Sequence, residues 1–288
     1  MISSMTGYAS RTAEVSRASL SVELKSVNSR FLDLAFRLPD ELRSLEPALR
    51  ERIAAKAQRG KIECRMSLAP AAGASARLQL NEPLLGALAD ASRRIQTAIQ
   101  GAQALRVGEV LHWPGMLAEE AGAGDAVREA ATRLFGETLA DFADSRAREG
   151  AKLKAVIAER VAGIRQVLKR VAPLVPEAIR LHQEKLAARL REALAADDED
   201  RIRQEIAVFG VKVDVAEELS RLELHLDEAD RILGAGGAAG KRLDFLMQEL
   251  NREANTLGSK SVSRELSDAG LEIKLLIEQM REQVQNIE

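Results

Sequence analysis

The stretch that decides the fold is RLDFLMQELNREANTLGSK at residues 242–260, followed by LEIKLLIEQMREQVQNIE at residues 271–288. In the first, apolar residues recur at the spacing of one stripe of an α-helix: Leu243, Leu246, Leu250, Ala254 and Leu257. In the second, the stripe keeps a step of nearly 3.5 residues, which suits packing on another long helix. Its members are Leu266, Ala269, Ile273, Leu276, Met280, Val284 and Ile287. The sequence therefore predicts two packed amphipathic helices here.

The N-terminal residues follow a different period. Apolar and polar residues alternate from Ala18 to Lys25, which predicts a half-buried strand. Further strands are predicted over 31–38 and 61–68, with a helix over 40–58 between them. These elements predict an α+β layer, a small antiparallel sheet covered by a helix. A long, mostly α-helical body with coiled-coil-like C-terminal helices is expected to follow.

The body is divided by short breaks. The small-residue stretch 69–76 reads as a linker or long loop, and helices are predicted over 83–100, 126–172, 177–196 and 201–233. The predicted domains are 1–76, which can extend to about 120, then the helical body 77–233, a glycine-rich linker 234–240 and the C-terminal segment 241–288.

Composition excludes several classes of protein. At 46% hydrophobic and 30% charged residues, the 288-residue chain can bury a sizeable core, and 3% aromatics is typical of helices packed through aliphatic seams. No stretch resembles a signal peptide or a membrane span, so we expect a cytoplasmic protein with no membrane partner. The lone Cys64 excludes an internal disulfide and a cysteine-rich metal site.

Charge is unevenly distributed. Residues 1–68 hold 12 Lys and Arg against 8 Asp and Glu, whereas the rest hold 30 against 36. A basic end can attract phosphates and an acidic body can attract hard cations, although a solvated mixture of charges gives similar counts.

The predicted helix 201–233 places a polar stripe beside an apolar seam. The seam is Val208, Val211, Val215, Leu219, Leu222 and Leu226, and the stripe is Asp214, Glu218, Arg221 and His225. Carboxylates four residues apart on a helix can share a hard cation, and a histidine one turn further can act as acid, base or ligand. The stripe equally fits a solvated face with Glu–Arg pairs.

The C-terminal helices carry a second candidate set, Glu249, Arg252, Glu253, Asn255 and Lys260. Its expected neighbours on the last helix are Glu272, Lys274, Glu278, Arg281 and Glu282. Phosphodiester cleavage needs an activated nucleophile and positive charge on the phosphorane, which these residue types supply. Interleaved charges also suit a salt-bridge network that holds an oligomer together.

The third set lies in the basic N-terminal region and consists of Lys25, Asn28, Arg30, Arg59 and Lys61. Asn28 and Arg30 fall in a tip between two predicted strands, and Arg59 and Lys61 flank the turn before the third. Such positions can contact phosphates and ribose hydroxyls without reading bases. A structural loop whose Asn caps its own turn is the alternative.

Seven stretches in chain order resemble the YicC/YloC family of bacterial proteins. They are MISSMTGYAS (1–10), SVNSRFLDLAFRLPDELRSLEP (26–47), RGKIEC (59–64), LHWPG (111–115), DVAEELSRLELHL (214–226), FLMQELNREANTLGSK (245–260) and IEQMREQVQNIE (277–288). The resemblance implies an endoribonuclease with an N-terminal domain, a long helical body, a ring-like hexamer and a divalent-metal requirement. It also implies that Asp214, Glu217, Glu218, Arg221 and His225 occupy motif positions.

The preferred hypothesis is an endoribonuclease that acts on single-stranded or structured RNA. RNA is expected to contact Lys25, Asn28, Arg30, Arg59, Lys61, Arg221, Arg252 and Lys260. The candidate catalytic residues are Glu218, His225, Glu249 and Glu253, and a manganese or magnesium ion that activates water is expected on Asp214, Glu218, Glu249 and Glu253. In a rival mechanism, His225 is the base for attack by the ribose 2′-hydroxyl.

Two alternatives to an enzyme stay open at this point. One is a non-catalytic oligomeric adaptor that binds RNA and presents it to a separate nuclease, with other RNA-decay enzymes as partners. The other is a purely structural helical scaffold.

Overall fold

A computed structural model of the protein describes residues 2–15, 18–70, 80–117, 123–193 and 199–288. The strands are β1 (Gly7–Val15), β2 (Ala18–Val27), β3 (Leu32–Arg37) and β4 (Gly60–Pro70). The helices are α1 (Glu46–Ala54), α2 (Glu82–Ala98), α3 (Val107–Leu111), α4 (Ala123–Val171), α5 (Val175–Ala193), α6 (Glu199–Lys212), α7 (Ala216–Ala235), α8 (Gly240–Lys260) and α9 (Arg264–Val284). The predicted class, a small sheet layer followed by a helical body, is confirmed.

The strands form one mixed sheet in the order β1-β2-β4-β3. β2 pairs antiparallel with β1 and with β4, as expected, but β3 runs parallel to β4, so the prediction of a wholly antiparallel sheet is wrong at this pair. A crossover through a 3₁₀ segment (Asp40–Leu45) and α1 joins β3 to β4, and a helical crossover of this length permits a parallel pair. β1 escaped prediction because its inward side carries Ala9, Arg11 and Ala13, too little apolar bulk to mark a strand.

Two cores share the 49-residue helix α4, which is roughly 74 Å long at 1.5 Å per residue. Its first half covers the sheet together with α1, through Phe135 and Phe142, and its second half packs in the helical core through Ile157 and Ile164. The predicted long helix over 126–172 is thus confirmed. Part of the predicted linker, residues 71–76, lies outside the described residues, as does the end of the helix predicted over 177–196. The predicted domain boundaries stay predictions.

α7, α8 and α9 form a layer against α4. α8 packs between α7 and α9, and α9 packs on α4. The two predicted C-terminal seams are buried except Leu276, which is partly buried against the same core. The glycine-rich stretch is a tight connection in which Gly236 and Gly237 take positive φ, so α7 and α8 lie side by side in opposite directions.

The predicted continuous helix over 201–233 is wrong. It is divided between α6 and α7 by residues 213–215. Val208 and Val211 therefore do not join the seam; they are 47% and 78% exposed, whereas Val215, Leu222 and Leu226 are buried. In the described part of the chain, no helix is both long enough and apolar enough to cross a membrane.

Candidate functional site

Charged side chains meet along the contact between α7 and α8. Because the two helices run in opposite directions, residues early in α7 face residues late in α8. The Lys260 ammonium donates to Glu218 Oε1 at 2.8 Å and to the carbonyl oxygen of Asp214 at 3.0 Å. One turn along, the Arg221 guanidinium lies 3.5 Å from Glu253 Oε1. These five residues are called the α7–α8 cluster below.

Both carboxylates at the centre of the cluster are buried. Glu218 is 6% exposed and Glu253 is 4% exposed. Each faces a cation, as a buried charge requires. Glu217, which also pairs with Arg221, and Glu253 raise the pKa of that guanidinium. Arg221 therefore stays charged.

One buried oxygen of the cluster has no hydrogen-bond partner among the described residues. Glu218 Oε2 is buried and accepts no hydrogen bond from the described residues, whereas Glu218 Oε1 is bound by Lys260. Leaving a buried carboxylate oxygen unsatisfied costs about 1–3 kcal/mol, so Glu218 Oε2 marks this carboxylate as a candidate functional group.

His225 and Glu249 continue the stripe toward the other end of α7. His225 is half-buried and lies one turn after Arg221. On α7 it falls between Arg221, which contacts Glu253, and Glu228, which contacts Arg242. The charged atoms of Glu228 and Arg242 are 3.7 Å apart. Glu249 is half-buried and lies 3.9 Å from Arg252. The structure thus places the four predicted catalytic residues along the contact between α7 and α8.

The predicted metal ligands do not converge in a single chain. Across the described ranges, no three His, Cys, Asp or Glu side chains form a group that could hold a metal ion. Asp214 is exposed, and its Oδ1 accepts from the Ala216 amide at the start of α7. Glu218 and Glu253 are each engaged by a cation. The four residues therefore do not fit one ion in this arrangement.

The predicted basic set comes together at the start of β4. Lys61 pairs with Val27 across the sheet, and the Arg59 guanidinium donates to the carbonyl oxygen of Arg30 at 3.3 Å. Lys25, Asn28, Arg30 and Lys61 are exposed, and Arg59 is half-buried. These five residues are called the basic tip. β4 begins at Gly60, beside the basic tip, with a φ of +105° that glycine adopts readily. An added Cβ at Gly60 would lie 3.4 Å from the Val27 carbonyl oxygen.

The basic tip lies at the opposite end of α8 from the Lys260 end of the cluster. A Cβ on Gly240, the first residue of α8, would be 3.4 Å from an Arg59 guanidinium nitrogen. Twenty residues separate Gly240 from Lys260, a rise of about 30 Å. The tip and the cluster are therefore not one pocket, and a ligand that touched both would have to extend along α8.

A groove of about 430 Å³ lies on the outer face of α8 beside α9, and it includes Arg252, Asn255 and Arg281 of the second candidate set. Its lining residues are Met247, Gln248, Asn251, Arg252, Asn255, Thr256 and Arg281. Gln248 and Asn251 lie outside the three candidate sets, and the sequence signal for them is the recurrence of amides at the helical positions 248, 251 and 255. These seven residues are called the α8–α9 groove.

Comparison with known proteins decides the family. Residues 2–155 match the description "Endoribonuclease YicC-like, N-terminal region", and residues 171–288 match "Endoribonuclease YicC-like, C-terminal". The chain belongs to the YicC-like family. A protein of Haemophilus influenzae named "Probable endoribonuclease YicC" is 38% identical over 288 residues, and one of the same name from Clostridioides difficile is 27% identical over 293 residues. Both alignments cover the full length of both chains.

The family matches also locate the candidate surfaces. The basic tip lies in the YicC-like N-terminal match, whereas the α7–α8 cluster and the α8–α9 groove lie in the C-terminal match. The interval between the two matches falls inside α4, the helix that both cores share. The resemblance drawn from the sequence motifs is therefore confirmed over the whole chain.

Proposed function

We propose that the protein is an endoribonuclease that cleaves single-stranded or structured RNA at the α7–α8 cluster. The observation that carries this proposal is Glu218, a buried carboxylate with one oxygen on Lys260 and the other without a donor in the described part of the chain. Family membership supports the reaction, since both relatives are named probable endoribonucleases.

The residue types suit displacement at phosphorus. Lys260 and Arg221 supply positive charge for the non-bridging oxygens as charge develops on the phosphorane. In attack by water, Glu218 Oε2 accepts the proton of the attacking water, and Glu253 holds Arg221 in place. RNA reaches the cluster along α8 from the basic tip, whose exposed cations hold the backbone.

Two routes give different products. If water attacks, its oxygen bonds to phosphorus, the bond to O3′ breaks, and the products carry a 5′-phosphate and a 3′-hydroxyl. If the ribose 2′-hydroxyl attacks with His225 as the base, the bond to O5′ breaks and a cyclic phosphate and a 5′-hydroxyl result. Mapping the product ends by mass spectrometry distinguishes the routes.

Dependence on manganese or magnesium stays a prediction. Carboxylates are the ligands that these hard cations prefer, yet Asp214, Glu218, Glu249 and Glu253 do not gather around one point in the described ranges. The cleavage assay therefore needs arms with each ion and with chelator. Cleavage that survives chelator would contradict the metal requirement without affecting the roles of Glu218 and Lys260.

The decisive experiment incubates end-labelled structured RNA with the full chain and with Glu218→Gln and Lys260→Met variants. We expect cleavage to fall by at least about 100-fold in each, since removing one electrostatic or general-base group typically costs that much. Glu223→Gln is the matched control, because Glu223 is exposed on the same helix. We expect that control to cleave at the wild-type rate.

Two results would contradict the proposal, and a third would invalidate the variants as a test. Cleavage at the wild-type rate by both cluster variants would show that the reaction takes place outside the α7–α8 cluster. Loss in the Glu223→Gln control as well would indicate a folding defect. Binding with a steep salt dependence but no cleavage by the wild type would favour an adaptor that presents RNA to another nuclease.

We further propose that the protein acts as a ring-like homo-oligomer, with six copies as the expected number. Large apolar side chains on two helices stay uncovered in one chain: Ile95 is 52% exposed on α2, and Leu271 and Leu275 are 65% and 60% exposed on α9. Apolar patches of this kind mark contacts between proteins. Native mass spectrometry should give one hexameric species, and Leu271→Lys with Leu275→Lys should lower its mass. A wild-type monomer would contradict this.

A further inference from the structure

The α8–α9 groove has the chemistry of a nucleotide site. Three amides, one hydroxyl and two guanidinium groups line it, and no carboxylate does. Amides can pair with the edges of bases, guanidinium groups pair with phosphates, and the Met247 thioether offers a polarizable surface for an aromatic ring. Its volume of about 430 Å³ falls within the usual range of small-ligand sites, about 300–1,000 Å³.

The two cations of the groove are weakly compensated. Arg252 and Arg281 each have a carboxylate one turn away on their own helix, but the charged atoms are 3.9 Å and 3.8 Å apart, beyond hydrogen-bond distance. Arg281 Nε is buried without a hydrogen-bond partner in the described residues. In the α7–α8 cluster, by contrast, Lys260 donates to a carboxylate at 2.8 Å. The groove therefore holds guanidinium N–H donors that these two carboxylates do not engage, and they are available to an anion.

The amides of the groove are prearranged. The Asn255 side-chain nitrogen donates to Asn251 Oδ1 at 2.8 Å, which leaves the Asn251 nitrogen and the Asn255 oxygen without a side-chain partner in the described ranges. A donor on Asn251 and an acceptor on Asn255 match the N7 acceptor and N6 donor of adenine, the two groups that a single Asn or Gln side chain pairs with in DNA.

The groove also lies between the two other candidate surfaces. Arg252 and Thr256 are one and three residues from Glu253 on α8, so the groove and the cluster occupy neighbouring faces of the same part of that helix. Toward the start of α8, Asn251 is eleven residues from Gly240, which is about three turns, so both lie on one side of the helix about 16 Å apart. Arg59 of the basic tip reaches Gly240. A strand that left the tip along this side would cross the groove before it reached the cluster.

We propose that the α8–α9 groove binds one unpaired nucleotide of the RNA, its base against Asn251 and Asn255 and its phosphate against Arg252 and Arg281, with adenine preferred. A base must be unstacked and unpaired to present these edges, so the groove selects single-stranded or bulged RNA. This inference rests on the proposed function, because it places the substrate of the same cluster.

Equilibrium binding of fluorescein-labelled single-stranded 12-mers of adenosine, uridine and cytidine tests the groove separately from cleavage. All measurements use the Glu218→Gln background at two salt concentrations. We expect oligoadenosine to bind about tenfold more tightly than the others, and Asn251→Asp to remove the preference. Arg281→Met should weaken binding of all three by about tenfold and reduce the salt slope by about one phosphate contact.

Two variants at exposed positions outside the groove serve as controls. Gln204→Glu changes an exposed amide on α6, and Arg264→Met removes an Arg that is 90% exposed on α9; both should leave affinity and preference unchanged. Equal affinity for the three oligonucleotides would overturn the adenine preference. Unchanged binding in Arg281→Met, with wild-type thermal stability, would overturn the groove. Either result can occur while cleavage at Glu218 persists, so the groove and the proposed function fail independently.

Discussion

Because Glu218 is buried, its ion pair with Lys260 should contribute to the stability of the fold. Glu218 is buried, so the loss of its cation leaves a carboxylate charge without compensation. We expect Lys260→Met to lower the free energy of unfolding by about 1–3 kcal/mol, and Glu218→Gln in the same chain to restore part of it. Urea denaturation measures both. Lys152→Met, at an exposed pair on α4, is the control; an equal effect there would contradict the expectation.

Burial of Cys64 should make its thiol unreactive toward alkylating reagents. It lies in the sheet core without exposure, and burial raises the pKa of its thiol to about 12. Alkylation requires the thiolate, so we expect iodoacetamide at pH 8 to leave the native protein unlabelled. Because Cys64 is the single cysteine of the chain, intact-mass spectrometry reads the result directly. The urea-unfolded chain should label fully, and rapid labelling of the native protein would show that the core opens there.

At the scale of elements, two glycines in helices differ in the space available for a side chain. Gly150 lets α4 approach the N-terminal segment, since an added Cβ would lie 2.2 Å from the Ile2 carbonyl oxygen. At Gly86 in α2, an added Cβ would meet no atom within 4 Å in the described part of the chain, apart from its own helix backbone. We expect Gly150→Ala to destabilise by about 1–3 kcal/mol through overpacking, and Gly86→Ala to stabilise by about 0.5–1 kcal/mol. Thermal melting compares them; a stabilising Gly150→Ala would mean that the contact is absent.

At the scale of the whole molecule, Arg146 connects the sheet layer to the helical layer. Its Nε donates to the Ser4 carbonyl oxygen at 2.6 Å, and its guanidinium pairs with Glu288. The other oxygen of Glu288 accepts from the Arg59 amide at 2.9 Å. The base of the basic tip is therefore fixed to α4 and to the residues that follow α9.

Removing this buried cation should weaken both stability and RNA binding. We expect Arg146→Met to lower the free energy of unfolding by about 3–5 kcal/mol, because Glu288 is left mostly buried without its partner. Affinity for RNA should also fall at a temperature where the variant is folded, since the tip is no longer aligned with α8. Arg148→Met, exposed on the same helix, is the control for both measurements. Unchanged stability in Arg146→Met would contradict the expectation.

The sequence by itself determined the elements that depend on near neighbours. The seams of α8 and α9, the long helix α4 and the strands β2, β3 and β4 follow from periodicity, because a stripe of apolar residues reports which face of a helix or strand is buried. Seven motifs determined the family. The basic tip was also predictable, since Asn28 and Arg30 occupy a short connection between two recognisable strands.

Tertiary structure alone decided what depends on distant partners. Glu218 meets Lys260 across 42 residues of sequence, and neither periodicity nor composition records that pairing. The same holds for the burial of Glu253, the break between α6 and α7, and the groove that joins Asn251 to Arg281. Periodicity reports which residues are buried, whereas the charge state and chemistry of a side chain depend on which other element covers it.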